Sequence, residues 1–376
     1  MTTEVSIVKS YSYYYDEVYE SVRRSVGLLG GMERFVRKGD RVLLKPNLLS
    51  AKSPEKAITT HPAVVKAVGN LVREAGGIPS IGDSPAIGKW RHITRKTGME
   101  EIAKEIGAEL VPFSESVRVK NDRSDIFKYL DIAKVVQDTD VVINLPKIKT
   151  HTQMFLTLSV KNLFGCVVGK RKAQWHMEAG ADREYFARML MEVYKAVMPS
   201  ITIVDGIIGI EGNGPGEGGT PKDIGLILAG RDCVAIDVII CKILGVKKED
   251  LYTTTAAIEM GIGETDIARI KILGEDIEEV RVKKFNSPAI TDVEFGPKFL
   301  RRYIKDLFTS RPMENKAKCS LCRLCMEICP PQVIKVTDSK LSFNYDRCIR
   351  CYCCIEVCPE GAIEVKETFM SRLTRS

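Results

Sequence analysis

Near its carboxyl end the chain writes one cysteine pattern twice: Cys319-x2-Cys322-x2-Cys325-x3-Cys329-Pro330, and Cys348-x2-Cys351-x2-Cys354-x3-Cys358-Pro359. Few structures can use such a run. A compact turn carries three thiolates, two residues apart, to three corners of one cubane, while the fourth cysteine faces away and ligates a second cluster. The expected ligand sets are therefore Cys319, Cys322, Cys325 and Cys358 for one [4Fe–4S] cluster, and Cys348, Cys351, Cys354 and Cys329 for another. Zinc makes a different demand: four tetrahedral ligands, usually as two separated C-x2-C pairs, with no third cysteine at the same spacing. Nine of the twelve cysteines lie between Cys319 and Cys358, which in a reducing compartment points to metal ligation and not to disulfides. The ninth, Cys353, is expected to stay unligated.

The apolar residues repeat with the cysteines. Ile328 matches Val357 just before each Cys-Pro, and the stretches 333–336 and 362–365 read as strands flanking the clusters. From Cys319 onward eight basic residues face seven acidic ones, so the empty segment is nearly neutral. Two oxidised clusters, each about −2 with its thiolates, would make it acidic. Most of the positive charge must then reside in the rest of the chain, which suits an anionic ligand or an acidic redox partner protein.

The remaining sequence alternates strands and helices. Apolar runs at 5–8, 41–45, 78–82, 140–145, 201–204 and 224–228 read as strands. Helical spacing covers 16–29, 62–75, 99–106, 183–198 and 234–244. Near-continuous apolar strands between helices imply an α/β body with a mixed or mostly parallel sheet flanked by helices, followed by a small α+β two-cluster domain. The expected divisions are an α/β domain at 1–285, a connecting arm at 286–316 with a helix near 298–308, and the cluster domain at 317–376. Among its 376 residues, 44% are apolar and 28% charged, which excludes a disordered chain. No run of eighteen apolar residues and no basic-then-apolar leader occurs, so a cytoplasmic location is expected. Basic residues are not interleaved with aromatics in a stripe, which argues against nucleic-acid binding.

In open α/β sheets, ligands bind beyond the carboxyl ends of the strands. Four such ends carry polar residues here. Lys45 and Asn47 follow the second strand, Asp83 the third, and Lys147, Lys149 and His151 the fourth, with Lys161 and Asn162 soon after. If the backbone stays extended, Lys147, Lys149 and His151 point to one side, and three cations there need an anion or carboxylates opposite. The fourth end leads from Asp205 into a loop whose Gly214 and Gly216 allow close approach of a ligand to the chain. That loop formally matches G-x-G-x-x-G, but Pro215 lies inside it and a strand follows, so dinucleotide binding is unsupported. His92 and His176 read as structural or surface residues. Asp205 and Asp237 read equally as acid–base groups or caps.

The strings KPNLLS, THP, GDSP, NLPKIKTH, VKNLFGCVVGKRK, DGIIGIEGNGPGEGG and DCVAID, in that order, resemble the family called domain of unknown function 362, over roughly residues 5–285. Members often carry an attached two-cluster module, and residues 317–368 resemble bacterial two-cluster ferredoxins. The resemblance supports the architecture and implies no particular reaction. The residues themselves suggest a redox protein in which two [4Fe–4S] clusters pass electrons to a small anionic substrate, a carboxylate or phosphate. Lys147, Lys149 and Lys161 would clamp it, and Asp83 or His151 would handle protons. A non-enzymatic carrier docking a partner protein would instead leave those lysines exposed. A redox-sensing ligand-binding protein would bind anions without turnover.

Overall fold

The computed structural model describes residues 2–288 and 310–366, apart from 86, 122, 123 and 125. The helix expected near 298–308 lies outside the described residues. Strands Arg41–Pro46 and Val141–Leu145 are buried almost throughout, as strands covered on both faces must be. Their neighbours extend a ten-stranded sheet whose main path runs Ile270–Gly274, Thr3–Lys9, Gly219–Gly230, Ile201–Gly212, Val141–Leu145, Arg41–Pro46, Ile78–Asp83 and Glu109–Pro112. Most pairs are parallel. Gly219–Gly230 is antiparallel to both neighbours.

Alternation along the strands builds two cores. Leu43, Val142, Val204 and Leu228 pack with helices Arg183–Val197 and Cys233–Leu244 on one face. Val42, Leu44, Ile143, Ile203 and Ile227 pack with helices Tyr15–Gly27, Pro62–Glu74 and Met99–Glu105 on the other. Local chemistry fixes the helix starts. The Asp232 carboxylate accepts from Val234 N and Ala235 N, and the His61 ring accepts from Ala63 N ahead of Pro62.

Two strands run further than apolar content indicates. The strand expected at 201–204 continues to Gly212 and that at 224–228 begins at Gly219, so the glycine-rich stretch is the tip of a long hairpin. Cross-strand hydrogen bonding sustains these polar ends where composition gives no sign. Helix Lys170–Ala179 is likewise unforeseen, because of its apolar residues only Trp175 and Ala179 reach the core.

The cysteine segment folds as two matched halves. Strand Ile334–Thr337 pairs with Lys340–Phe343, and Ile363–Lys366 pairs with Arg311–Glu314, a strand lying within the stretch read as an arm. Short helices Leu324–Ile328 and Cys353–Val357 pack together between them.

Candidate functional site

The cysteines surround two small hollows. Cys319, Cys322, Cys325 and Cys358 line the first, and Cys329, Cys348, Cys351 and Cys354 line the second. Among the described residues no three His, Cys, Asp or Glu side chains converge closely enough to hold one ion. Thiols spread around a hollow suit a polynuclear cluster, whose four cysteines bind four different irons; a zinc ion would need them on one point. Leu321, Arg323, Arg350 and Tyr352 take left-handed backbone angles within these turns, aiming successive cysteines inward.

A third cavity, of about 400 Å3, lies where the cysteine module meets the α/β body. The body supplies Lys45, Asn47, Asp83, Lys149, His151, Lys161, Asn162, Lys172 and His176; the module supplies Glu327, Ile328, Pro330, Cys353 and Glu356. Lys45 is fully buried and donates to Asp83 Oδ1 at 2.9 Å and to the Pro46 carbonyl at 3.0 Å. Asp83 also accepts from Leu48 N on Oδ2 and from Ser84 N on Oδ1. The chain passes so close that a Cβ on Gly165 would lie 2.5 Å from Lys45 Nζ.

Lys149 donates to Asn47 Oδ1 at 2.7 Å and to the Ile58 carbonyl at 2.8 Å. Asn47 then donates to Asn162 Oδ1, and Asn162 to Asn144 Oδ1, each at 2.8 Å, which orients all three amides. Burial pushes the Lys149 amine down to about 7, and Lys161 and Lys147 push the same way against Glu356 and Asp83. Lys172 donates to the Ser84 carbonyl, and burial brings it down to about 8. Lys161 lies 4.8 Å from the Phe164 ring centre, with its amine also lowered by burial. No carboxylate among the described residues pairs with Lys149, Lys161 or Lys172. Three lysine amines thus face one cavity with no carboxylate in contact among the described residues.

His151 closes the row. Its Nδ1 accepts from Gln153 N and Met154 N, so Nε2 carries the hydrogen and donates to Glu356 Oε1 at 2.9 Å. Burial alone would raise Glu356, but His151 and Lys161 outweigh it and hold the carboxyl at about 2. This bond also ties module to body, with Lys52 donating to the Pro359 carbonyl at 3.0 Å.

Lys147, Lys149 and His151 do extend from one strand, yet they meet three different surroundings. Lys147 does not line the cavity. It is fully buried, 2.9 Å from Asp205 Oδ2, in a network with Tyr13, whose hydroxyl donates to Asp205 Oδ1, and with His61 N. Gly214 and Gly216 do not line it either; Pro215 between them does. The Gly214 carbonyl accepts from Thr152 N, and a Cβ on Gly216 would lie 2.8 Å from the Glu356 carbonyl oxygen. The glycines therefore let the hairpin tip clasp the cysteine module. Gly216→Val is expected to loosen that contact while iron content is kept, read as faster proteolysis between the two units. Unchanged proteolysis would remove this role. Glu211 holds Asn286 through N and Nδ2, and Asp237 accepts from Ser159 N and Val160 N, so both carboxylates are structural in their contacts.

Sequence reasoning missed Lys172, His176, Cys353 and Glu356. Lys172, Ala173 and His176 follow i, i+1, i+4 spacing on one helix, a periodicity visible only once that polar segment is taken as helical. His176 stacks on Phe186 at 4.5 Å, and burial brings it down to about 3. The module's two residues carry no mark in the sequence, since docking alone brings them in. Among the described residues, no helix is long and apolar enough to cross a membrane.

Residues 42–242 match the domain of unknown function (DUF362), and residues 318–362 match a 4Fe-4S dicluster domain. The chain is similar to a thylakoid-associated protein of Synechocystis sp., 42% identical over 310 residues, covering 82% of this chain and 95% of that one. Among solved structures, the lactate racemase apoprotein from Thermoanaerobacterium thermosaccharolyticum aligns with 54% of this chain and 50% of its own, at 10% identity and a TM-score of 0.39. With four-cysteine hollows suited to iron–sulfur clusters and matches over both units, the chain belongs to the DUF362 family and is an iron–sulfur protein.

Proposed function

We propose that the protein is a redox enzyme that passes electrons from two [4Fe–4S] clusters to a small anionic substrate, a carboxylate or phosphate, bound between body and module. The observation that carries this reading is the shared cavity: lysines without counter-ions on one side, cysteine-bearing helices on the other. Clusters held by the two four-cysteine sets would supply single electrons beside it. Lys149, Lys161 and Lys172 hold the acid group, and Asn47 and Asn162 fix Lys149 in place. Asp83, held by Leu48 N and Ser84 N, positions Lys45. His151 holds a proton on Nε2 at the cavity wall, where Glu356 keeps the ring oriented. Burial of the lysines favours a ligand over a protein-docking face, whose charges would stand in water. Thiolate-held clusters suit a reducing, cytoplasmic setting.

Anaerobic protein should contain about eight iron atoms per chain. Reduced stepwise and then mixed with candidate carboxylic and phosphorylated acids, it should be reoxidised by its substrate. Binding of anions with no reoxidation by any of them would favour a sensor instead. Affinity for an anion should also depend on pH with a defined sign. The protonated amines bind the anion, and Lys149 and Lys172 lose their protons near 7 and 8, so binding should weaken from pH 7 to pH 9. Calorimetry with phosphate or malonate across that range checks it; affinity that rises with pH would remove the lysine clamp.

A further inference from the structure

Cys353 is surplus to the eight cysteines around the hollows. It stands between Cys351 and Cys354 at the start of helix Cys353–Val357, yet it lines neither hollow and lines the interdomain cavity instead. Neighbouring residues at a helix start project in different directions, so its flanking cysteines face inward while Cys353 faces the body. Its Sγ makes a loose 3.9 Å contact with the Cys351 carbonyl.

Independent groups in the same cavity point to a ligand. Thr157 is 4% exposed and His176 6% exposed, and both line the space. Thr157 Oγ1 and His176 Nδ1 nevertheless have no hydrogen-bond partner among the described residues. Buried polar atoms are nearly always paired, so these are groups that a bound molecule would satisfy. Lys161 adds an ammonium with neither an ion pair nor a hydrogen bond among the described residues.

We propose that Cys353 is the substrate-contacting thiol of this cavity. The site takes a small carboxylate whose acid group rests on the lysines and whose adjacent carbon meets Cys353 Sγ. This deepens the anion cavity proposed above and rests on it.

Iodoacetate is a carboxylate of this kind. When Cys353 attacks it, an S–C bond forms, the C–I bond breaks, iodide leaves and the thiol proton passes to buffer. Iron-loaded, full-length protein is treated anaerobically with iodoacetate or with neutral iodoacetamide, and the Cys353 peptide is followed by mass spectrometry. Scaled to free cysteine, iodoacetate should modify Cys353 at least about tenfold faster than iodoacetamide, because lysine-bound reagent is held beside the thiol. The rate should saturate, fall with added malonate, and lose its preference for iodoacetate in Lys161→Gln, with iron content unchanged throughout. If calorimetry shows malonate bound but Cys353 stays unmodified or reacts without preference, the thiol assignment fails and the anion cavity stands. If neither malonate nor phosphate binds and labelling is unselective, both fall together.

Discussion

Cys354→Ala should cost the cysteine module its fold as well as part of its iron. The buried core of that module is Cys325, Cys329, Cys354 and Cys358 with Val333, Ile334, Tyr352, Ile355, Ala362 and Ile363. So few apolar side chains cannot offset the ordering entropy of a segment this short, and metal binding must contribute much of the folding free energy. Iron should fall from about eight to about four atoms per chain or fewer. Proteolysis should then cut within 310–366, while the α/β body, with its two separate cores, melts as before. Retention of the full iron complement would refute the ligand assignment. Loss of the body together with the module would show that the two are not independent folding units.

Asp205→Ala is the larger test of stability. Lys147 and Asp205 are both fully buried, and the carboxylate holds Lys147, Tyr13 and His61 N together. Removing one member of a buried pair leaves a charge without compensation, at a cost of about 3–5 kcal/mol. The sign of its pH dependence follows. Burial lowers the folded-state pKa of Lys147 below its unfolded value, so between the two the unfolded chain binds more protons and stability rises with pH. Without Asp205 the amine is lowered further, and the deficit should shrink as alkaline pH lets it shed its proton. The double variant Asp205→Ala, Lys147→Met should regain more than half of the loss, because neither charge is then stranded. Chemical denaturation at pH 7 and 9 measures all three; a deficit below about 1 kcal/mol would mean that the network is not a buried ion pair in energetic terms.

The parts of the fold that could be read directly were those with strong periodic signals. Val42 to Leu44, Val141 to Leu145 and the helix after His61-Pro62 announce themselves because burial on a fixed face demands apolar residues at fixed intervals. Hairpin Ser116–Lys120 with Tyr129–Ala133 and helix Lys170–Ala179 do not, since charged residues interrupt the few apolar ones that reach the core. At the site, Lys45, Asn47, Asp83, Lys149, His151, Lys161 and Asn162 were legible as polar residues at strand ends and do meet around one cavity. Lys147 has the same residue type and parity as Lys149. Only the position of Asp205, across from it in the neighbouring strand, takes it out of the cavity.

The cysteine spacing by itself determines the iron–sulfur character, because three ligands of each cluster are set within one short run and the fourth comes from the matching run. Strand–helix alternation likewise determines the class of the body through short-range burial patterns. Which lysines keep their charge for a ligand, why the glycine loop grips the module, and how Cys353 and Glu356 come to face His176 were decided by tertiary structure alone. Each depends on two surfaces that are remote in sequence and meet only when the module docks, and desolvation at that contact sets the charge states that the site can use.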